Sequence, residues 1–285
     1  MPSGVNPSLP QAAGGASREI LLRIVSGVAL GSAALGLAWA GTWPFALLVG
    51  AVALIVAWEW GHVVRGASFD GVLLVTGTAI VAAVALTAAR GVPQGLATLA
   101  LGTMAAGWLA PDGQRQSAAI GAIYAGLPAL AMIWLRAGGT HGLQAILLLM
   151  LVVWATDIGA FIAGRSLGGP KLWPRVSPNK TWSGLAGGIL SAVLVAWVMA
   201  VLSGSPAPWR VCLLGFALAV VSQAGDLLES AIKRRRGVKD ASHLIPGHGG
   251  FMDRVDGLVL AALAAALYGL VVDPTAPASA LLAQR

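Results

Sequence analysis

The chain has 285 residues, of which 57% are hydrophobic and only 10% are charged, with a formal net charge of +7. Soluble globular proteins carry about 25% charged residues, so this composition excludes an ordinary soluble domain and favours a polytopic helical membrane protein. Long continuous apolar runs also argue against a β-barrel, whose short strands alternate in hydrophobicity. In a membrane protein the positive balance indicates basic cytoplasmic loops and contact with anionic lipids, rather than binding of nucleic acid.

Nine apolar runs follow an uncharged N-terminal tail. Residues 1–17 are rich in Pro, Gly, Ser and Ala and predict a disordered tail. The runs are long enough to cross a bilayer as helices, although the fourth is short and rich in Gly and Ala. They span residues 24–40, 43–60, 71–89, 95–110, 117–135, 142–164, 184–202, 209–228 and 251–272. The predicted fold is therefore all-α and polytopic, with eight or nine transmembrane helices. A faint resemblance to a signal-peptidase site at residues 38–41 leaves open whether the first run is retained.

Basic residues predict the orientation of these helices. With nine helices, one side of the membrane holds 14 of the 18 lysines and arginines, and the other holds Arg90, Arg136, Arg210 and Arg285. The basic side is the cytoplasmic side, so the N-terminus and the long loops 165–183 and 229–250 are predicted to be cytoplasmic. The predicted organisation is a tail (1–17), a scaffold half (18–140), a catalytic half containing both long loops (141–272) and a C-terminal tail (273–285).

Acidic residues collect near the predicted cytoplasmic ends of helices in the second half. Asp226 and Glu229 are three residues apart, as are Asp253 and Asp256, so on helices each pair shares a face. Ionisable residues in membrane spans are costly and usually functional. Mg²⁺ is typically bound by one or two carboxylates together with substrate phosphates. The two pairs therefore predict a magnesium and phosphate site at the cytoplasmic interface.

A structural role is the alternative for each acid, through ion pairs with nearby basic side chains. The functional interpretation is favoured for Asp226 and Asp253, because stability alone does not require acids at both sites. For Asp157 the two interpretations stay open. Glu59 stands alone between two tryptophans, in a setting typical of the membrane interface, and is interpreted as structural.

Loops next to these acids contain groups that bind phosphate. His248, Gly249 and Gly250 precede the last helix, and glycines let a ligand approach the free N–H groups at a helix N-terminus. A second segment surrounds Lys180 with hydroxyl and amide side chains, from Ser177, Asn179 and Thr181. The basic residues nearest the acids are Lys233, Arg234, Lys239 and Arg254. Each feature alone also fits a turn or a topology determinant, whereas together they predict a site for anionic substrates.

These polar segments resemble the phosphatidate cytidylyltransferases, also called CDP-diacylglycerol synthases. Residues 230–256 resemble that family's signature throughout, and residues 157–161, 177–182 and 225–230 are similar to segments that lie upstream of it. One departure is Ser183, where many members carry a glutamate, so no carboxylate role is expected there. The resemblance covers residues 150–257. The Walker A, Gly-x-Ser-x-Gly and His-Glu-x-x-His motifs do not occur in the sequence, which argues against an ATPase, a serine hydrolase or a zincin.

The resemblance implies that CTP and phosphatidic acid react to give CDP-diacylglycerol and pyrophosphate, in phospholipid biosynthesis at the cytoplasmic face of the inner membrane. It implies that Asp226 and Asp253 bind Mg²⁺ and leaves open a second, monovalent cation. The residues expected to be catalytic are Asp226, Asp253, Asp256, Lys233 and Arg254. Those expected to bind substrate are Asp157, Ser177, Asn179, Lys180, Thr181, Arg234, Lys239, His248, Gly249 and Gly250. The expected partners are CTP, phosphatidic acid and anionic lipids, with no nucleic acid, and a homodimer stays open.

Two other classes of protein would also place acids near a membrane interface. Enzymes that transfer a phospho-alcohol from a CDP-lipid use an Asp-Gly-x-x-Ala-Arg pattern, but here Asp256 and Gly257 are followed by Leu-Val-Leu-Ala. Transporters place polar groups at broken helices near the middle of the membrane, whereas these acids cluster at one interface. Both alternatives fit the sequence less well than nucleotidyl transfer to a lipid.

Overall fold

The computed structural model describes residues 13–242, 244 and 249–284, with side chains from residue 25 onward. Within these residues the chain forms a helical bundle with one small β-hairpin. The long helices are α1 (Ala13–Ala40), α2 (Thr42–Trp60), α3 (Gly71–Arg90), α4 (Val92–Leu109), α5 (Arg115–Arg136), α6 (Gly139–Leu167), α7 (Trp182–Leu202), α8 (Pro208–Arg235) and α9 (Met252–Val272). A π-helical turn (Gly61–Arg65) continues α2, a short helix α10 (Pro277–Leu281) follows α9, and the antiparallel strands β1 (Lys171–Trp173) and β2 (Ser177–Thr181) join α6 to α7.

Each predicted apolar run lies in one of the nine long helices, which confirms the all-α polytopic fold. Seven helices within the described residues are long and apolar enough to cross a membrane, namely α2, α3 and α5 to α9. Helix α1 contributes the shorter apolar segment Val25–Ala40, and α4 is not among the seven. Membrane crossing by α1 and α4 therefore stays a prediction.

Four predicted segments differ from the structure in their bounds or content. The loop expected at residues 165–183 begins only after Leu167, where α6 ends, and it ends before Trp182, where α7 begins. The tail predicted to be disordered as far as residue 17 is already helical from Ala13. The loop expected to begin at residue 229 begins only after Arg235, because α8 continues past the last apolar residue of its run. The segment predicted as a C-terminal tail contains α10, where Leu281 is buried and Pro277 packs closely on Gly269 of α9. This segment contributes to the core because its apolar side chains cover the end of α9.

Single glycines form two of the turns between consecutive helices. Gly41 connects α1 to α2 with φ +130°, and Gly91 connects α3 to α4 with φ +102°. These dihedral angles lie in a region that side chains disfavour, so glycine permits the helices to reverse within one residue. The two longest connections, residues 168–181 and 236–251, both join helices at the other end of the bundle.

Helices of the second half meet through their backbones. A Cβ atom added to Gly188 of α7 would lie 2.7 Å from the carbonyl oxygen of Thr156 on α6. A Cβ atom added to Gly225 of α8 would lie 2.6 Å from the carbonyl oxygen of Asp256 on α9. The helices can approach this closely because glycine has no side chain. The close packing brings the polar ends of α6, α8 and α9 together with the hairpin.

Candidate active site

A cavity of about 810 Å³ lies between the C-terminal ends of α6 and α8, the first turns of α9 and the β-hairpin. Its charged lining residues are Asp157, Arg165, Lys171, Lys180, Asp226, Glu229, Lys233, Asp240, Asp253, Arg254 and Asp256. Six acids and five bases therefore line one volume in a chain that otherwise contains few charges. The cavity is large enough for a nucleotide, since ligand pockets range from about 300 to 1,000 Å³.

The hairpin reaches the cavity through Lys180. Its Nζ atom lies 2.5 Å from Oδ2 of Asp226 and donates a hydrogen bond to Oε1 of Gln223 at 3.2 Å. Both partners are on α8, so one lysine fixes the hairpin to that helix. At the base of the hairpin, the Thr181 hydroxyl accepts a hydrogen bond from the backbone N–H of Gly184 at 3.0 Å and caps α7. The Ser183 hydroxyl donates to the carbonyl of Gly168, which is a structural contact that needs no carboxylate.

A buried lysine joins α8 to α9 on the other side of the cavity. Lys233 Nζ lies 2.8 Å from Oε2 of Glu229 and donates a hydrogen bond to Oδ1 of Asp253. Oδ2 of Asp253 accepts hydrogen bonds from the backbone N–H groups of Gly250 at 2.9 Å and Ala241 at 3.0 Å. Asp253 is thus held by three donors from two segments of chain, and its orientation in the cavity is fixed.

The backbone N–H groups at the start of α9 are not free to bind a phosphate. Gly250 donates to Asp253, and Phe251 and Met252 donate to the carboxylate of Glu59 at 3.0 and 2.6 Å. The expectation that the loop before α9 offers free N–H groups to an anion is therefore wrong for these three residues. The structural interpretation of Glu59 agrees with these contacts, although its partners here are backbone and hydroxyl groups rather than basic side chains.

The structure gathers most of the predicted site residues, but not all of them. Those that line the cavity are Asp157, Asn179, Lys180, Thr181, Asp226, Lys233, Asp253, Arg254 and Asp256. Those that are described but do not line it are Ser177, Arg234, Lys239, Gly249 and Gly250. Arg234 and Lys239 are exposed, while Ser177 opposes Trp173 in the hairpin. His248 lies outside the described residues.

Six further polar residues line the cavity, although the sequence had placed only Glu229 of them near the site, as the partner of Asp226 in an acidic pair: Arg165, Lys171, Gln223, Glu229, Ser230 and Asp240. Glu229 had a usable signal, because it lies four residues before Lys233 and three after Asp226, and so faces both on one helix. Arg165 and Lys171 were used only to predict the orientation of the helices in the membrane, as two of the 14 basic residues on the cytoplasmic side. Gln223 carries no charge, and its role became visible only through its contact with Lys180.

The carboxylates fit a magnesium ion that arrives with a nucleotide. Among the residues that the structure describes, no three His, Cys, Asp or Glu side chains are grouped so as to hold a metal by themselves. Asp226 and Asp253 nevertheless offer oxygen ligands to one cavity, and Mg²⁺ usually takes one or two carboxylates and completes its coordination with water and phosphate oxygens. The donor set is therefore appropriate for Mg²⁺ shared between protein and substrate.

Known proteins resemble this chain over most of its length. The model of the cytidylyltransferase family matches residues 21–272. The chain belongs to this family. It is 41% identical over 273 residues to a protein named phosphatidate cytidylyltransferase from Brucella suis biovar 1 (strain 1330), across 90% of this chain and 96% of the relative. It is 43% identical over 141 residues to a protein of the same name from Bacillus subtilis (strain 168), across 49% of this chain and 52% of the relative. The resemblance inferred from residues 150–257 is thereby confirmed, and the family match extends it into the N-terminal half.

Proposed function

We propose that this protein transfers the cytidylyl group of CTP to phosphatidic acid, giving CDP-diacylglycerol and pyrophosphate. The observation that carries the proposal is a single cavity, at one end of membrane-spanning helices, in which Asp226 and Asp253 face Lys180 and Lys233. Such a cavity suits two anionic substrates, one from water and one from the bilayer. Relatives at 41% identity that are named phosphatidate cytidylyltransferase support the same activity.

The reaction is an in-line displacement at phosphorus. A phosphate oxygen of phosphatidic acid forms a bond to the α-phosphorus of CTP, and the bond from that phosphorus to the bridging oxygen of the β-phosphate breaks, so pyrophosphate leaves. Catalysis of this kind is largely positioning and neutralisation of charge. Mg²⁺ held by Asp226 and Asp253 would supply charge stabilisation to the triphosphate.

The basic side chains of the cavity would bind the phosphates. Each lysine ammonium has three donors, so Lys180 and Lys233 can contact a phosphate oxygen while each remains near its carboxylate. Arg254 is exposed toward the cavity and presents a planar guanidinium suited to a phosphate. Asp256 lines the same cavity about one turn after Asp253 on α9. There it would orient these cations or the metal.

The membrane setting of the cavity supports a lipid as the acceptor substrate. Phe161 lines the cavity from α6 and is 65% exposed, so an apolar side chain extends from the charged site to the outside of the bundle. A lipid phosphate can approach from that side while its acyl chains stay beside the apolar helices. In this proposal the site faces the cytoplasm from the inner membrane, and a monovalent second cation and a homodimer remain predictions.

Labelled CTP and phosphatidic acid test the proposal directly. Purified protein in detergent micelles should convert label from the α-phosphate of CTP into an organic-soluble lipid, and chelation of Mg²⁺ should stop the conversion. Asp253→Asn should lower turnover at least about 100-fold, since charge stabilisation at a single group is worth that much. Asp112→Asn is the matched control, because Asp112 is an exposed acid in the loop before α5 that forms an ion pair with the exposed Arg115.

The two alternatives predict different products. An enzyme that consumes CDP-lipids would release CMP from CDP-diacylglycerol and leave CTP intact. A transporter would move a solute across sealed vesicles without forming labelled lipid. Wild-type protein that forms no labelled lipid, or an Asp253→Asn variant with normal turnover, would overturn the proposal.

A further inference from the structure

Glu59 connects the N-terminal half of the bundle to the first turn of α9. It lies near the end of α2, and its side chain is fully buried. Oε1 accepts hydrogen bonds from the hydroxyl of Ser242 and from the backbone N–H of Phe251 at 3.0 Å, and Oε2 accepts from the N–H of Met252 at 2.6 Å. A buried carboxylate is costly unless it is hydrogen-bonded, and these three donors offset that cost.

The same short segment holds Asp253. The N–H groups of Gly250 and Ala241 donate to Asp253, while those of Phe251 and Met252 donate to Glu59. The first N–H groups of a helix have no partner within the helix. At the start of α9, one such group donates to Asp253 and two donate to Glu59. The contact is close, because a Cβ atom added to Gly250 would collide with Oε1 of Glu59.

We infer that Glu59 is a positioning residue for Asp253. It anchors the first turn of α9 to α2, and that anchor fixes the direction in which the Asp253 carboxylate enters the cavity. The inference rests on the proposed function, in which Asp253 takes part in binding Mg²⁺ and CTP. The inference assigns a specific role to the N-terminal half. Glu59 holds the first turn of α9 from α2, a helix that contributes no described residue to the cavity lining.

Glu59→Gln is the informative substitution because it keeps the size of the side chain. The amide oxygen can still accept hydrogen bonds, whereas the amide nitrogen cannot accept from a backbone N–H. The matched control is Asp273→Asn. Asp273 is a buried carboxylate just after the opposite end of α9, and its Oδ1 accepts hydrogen bonds from the backbone N–H and the hydroxyl of Thr275 at 3.0 and 2.7 Å.

Three measurements on the full-length protein in detergent separate positioning from general stability. Hydrogen–deuterium exchange reports on the amides of residues 250–255, thermal melting reports on the whole fold, and the synthesis of labelled lipid at varied Mg²⁺ reports on the site. For Glu59→Gln we expect faster exchange at residues 250–255, a fall in kcat of about tenfold and a higher Mg²⁺ concentration for half-maximal rate. For Asp273→Asn we expect any loss of melting temperature to leave kcat and the Mg²⁺ requirement unchanged.

Each contrary outcome has a distinct meaning. Glu59→Gln with unchanged kcat and Mg²⁺ requirement overturns the inference. The inference is also overturned if Asp273→Asn and Glu59→Gln lower the melting temperature equally and lose activity equally. Wild-type protein that makes no labelled lipid overturns the proposed function instead. In that case the exchange measurement still decides the positioning of Asp253, because unchanged exchange at residues 250–255 in Glu59→Gln would show that Glu59 does not anchor the first turn of α9.

Discussion

Lys233 occupies a buried position between the carboxylates of Glu229 and Asp253. The sequence predicts a catalytic role for it, as one member of a basic run close to the acids. The structure shows that it also balances two acids that would otherwise repel each other. A residue in this position affects both the stability of the α8–α9 contact and the charge of the site.

Replacing Lys233 by Met should therefore destabilise the protein as well as inactivate it. Removing one partner of a buried ion pair typically costs about 3–5 kcal/mol, because the remaining charge is left uncompensated. We expect a clearly lower melting temperature in detergent and loss of labelled-lipid formation. Arg235→Met is the control for stability, since Arg235 is an exposed member of the same basic run. A Lys233→Met variant that melts at the wild-type temperature would contradict this role.

The carboxylates of the site were predictable from spacing, whereas most of their partners were not. Asp226 and Asp253 stood out because acids in apolar helices are rare and costly. The contact of Glu59 with Phe251 joins residues 192 positions apart, and nothing in the local sequence indicates it. Lys180 was recognised as a phosphate-binding residue, but its ion pair with Asp226 depends on how the hairpin folds back onto α8.

At the scale of elements, α8 and α9 cross with backbone contact at the level of the acids. Gly225 precedes Asp226, and the carbonyl oxygen nearest to its missing side chain belongs to Asp256. A Cβ atom added to Gly257 of α9 would likewise collide with the hydroxyl of Ser222 on α8. The distance between the acids of the two helices is therefore set by two glycines.

Gly225→Ala should separate α8 from α9 and lower activity. A displacement of about 1 Å at reacting groups can cost about 100-fold in rate, so we expect kcat to fall at least about tenfold while the protein still assembles in the membrane. Gly36→Ala is the matched control, because a Cβ atom added to Gly36 in α1 would meet no atom within 4 Å. Equal activity of the two variants would show that this crossing does not set the geometry of the site.

The helices were predictable because a membrane span needs about 20 apolar residues and these runs are visible in the sequence. The hairpin was not, since β1 and β2 have only 3 and 5 residues and lie in a polar loop with no clear alternation. Helix α10 was also missed. Its five residues are too few for a periodic signal, and their burial depends on packing against α9.

At the scale of the whole molecule, the two predicted halves share one hydrophobic core. Its buried members include Phe45 and Ile80 from the first half, and Leu149 and Leu218 from the second. The polar cavity lies at one end of this core, where the two longest loops also emerge. The orientation of the bundle in the membrane therefore decides whether the cavity can meet a water-soluble nucleotide of the cytoplasm.

The distribution of basic residues predicts that the cavity faces the cytoplasm. Cys212 is the only cysteine, so a Cys212→Ala background permits labelling at single introduced cysteines. Pro206→Cys and Arg236→Cys lie at exposed positions beyond opposite ends of α8. In intact spheroplasts a membrane-impermeant maleimide should label Pro206→Cys, whereas Arg236→Cys should react only after lysis. The reverse pattern would place the cavity on the outer side, away from cytoplasmic CTP, and would be incompatible with the proposed reaction.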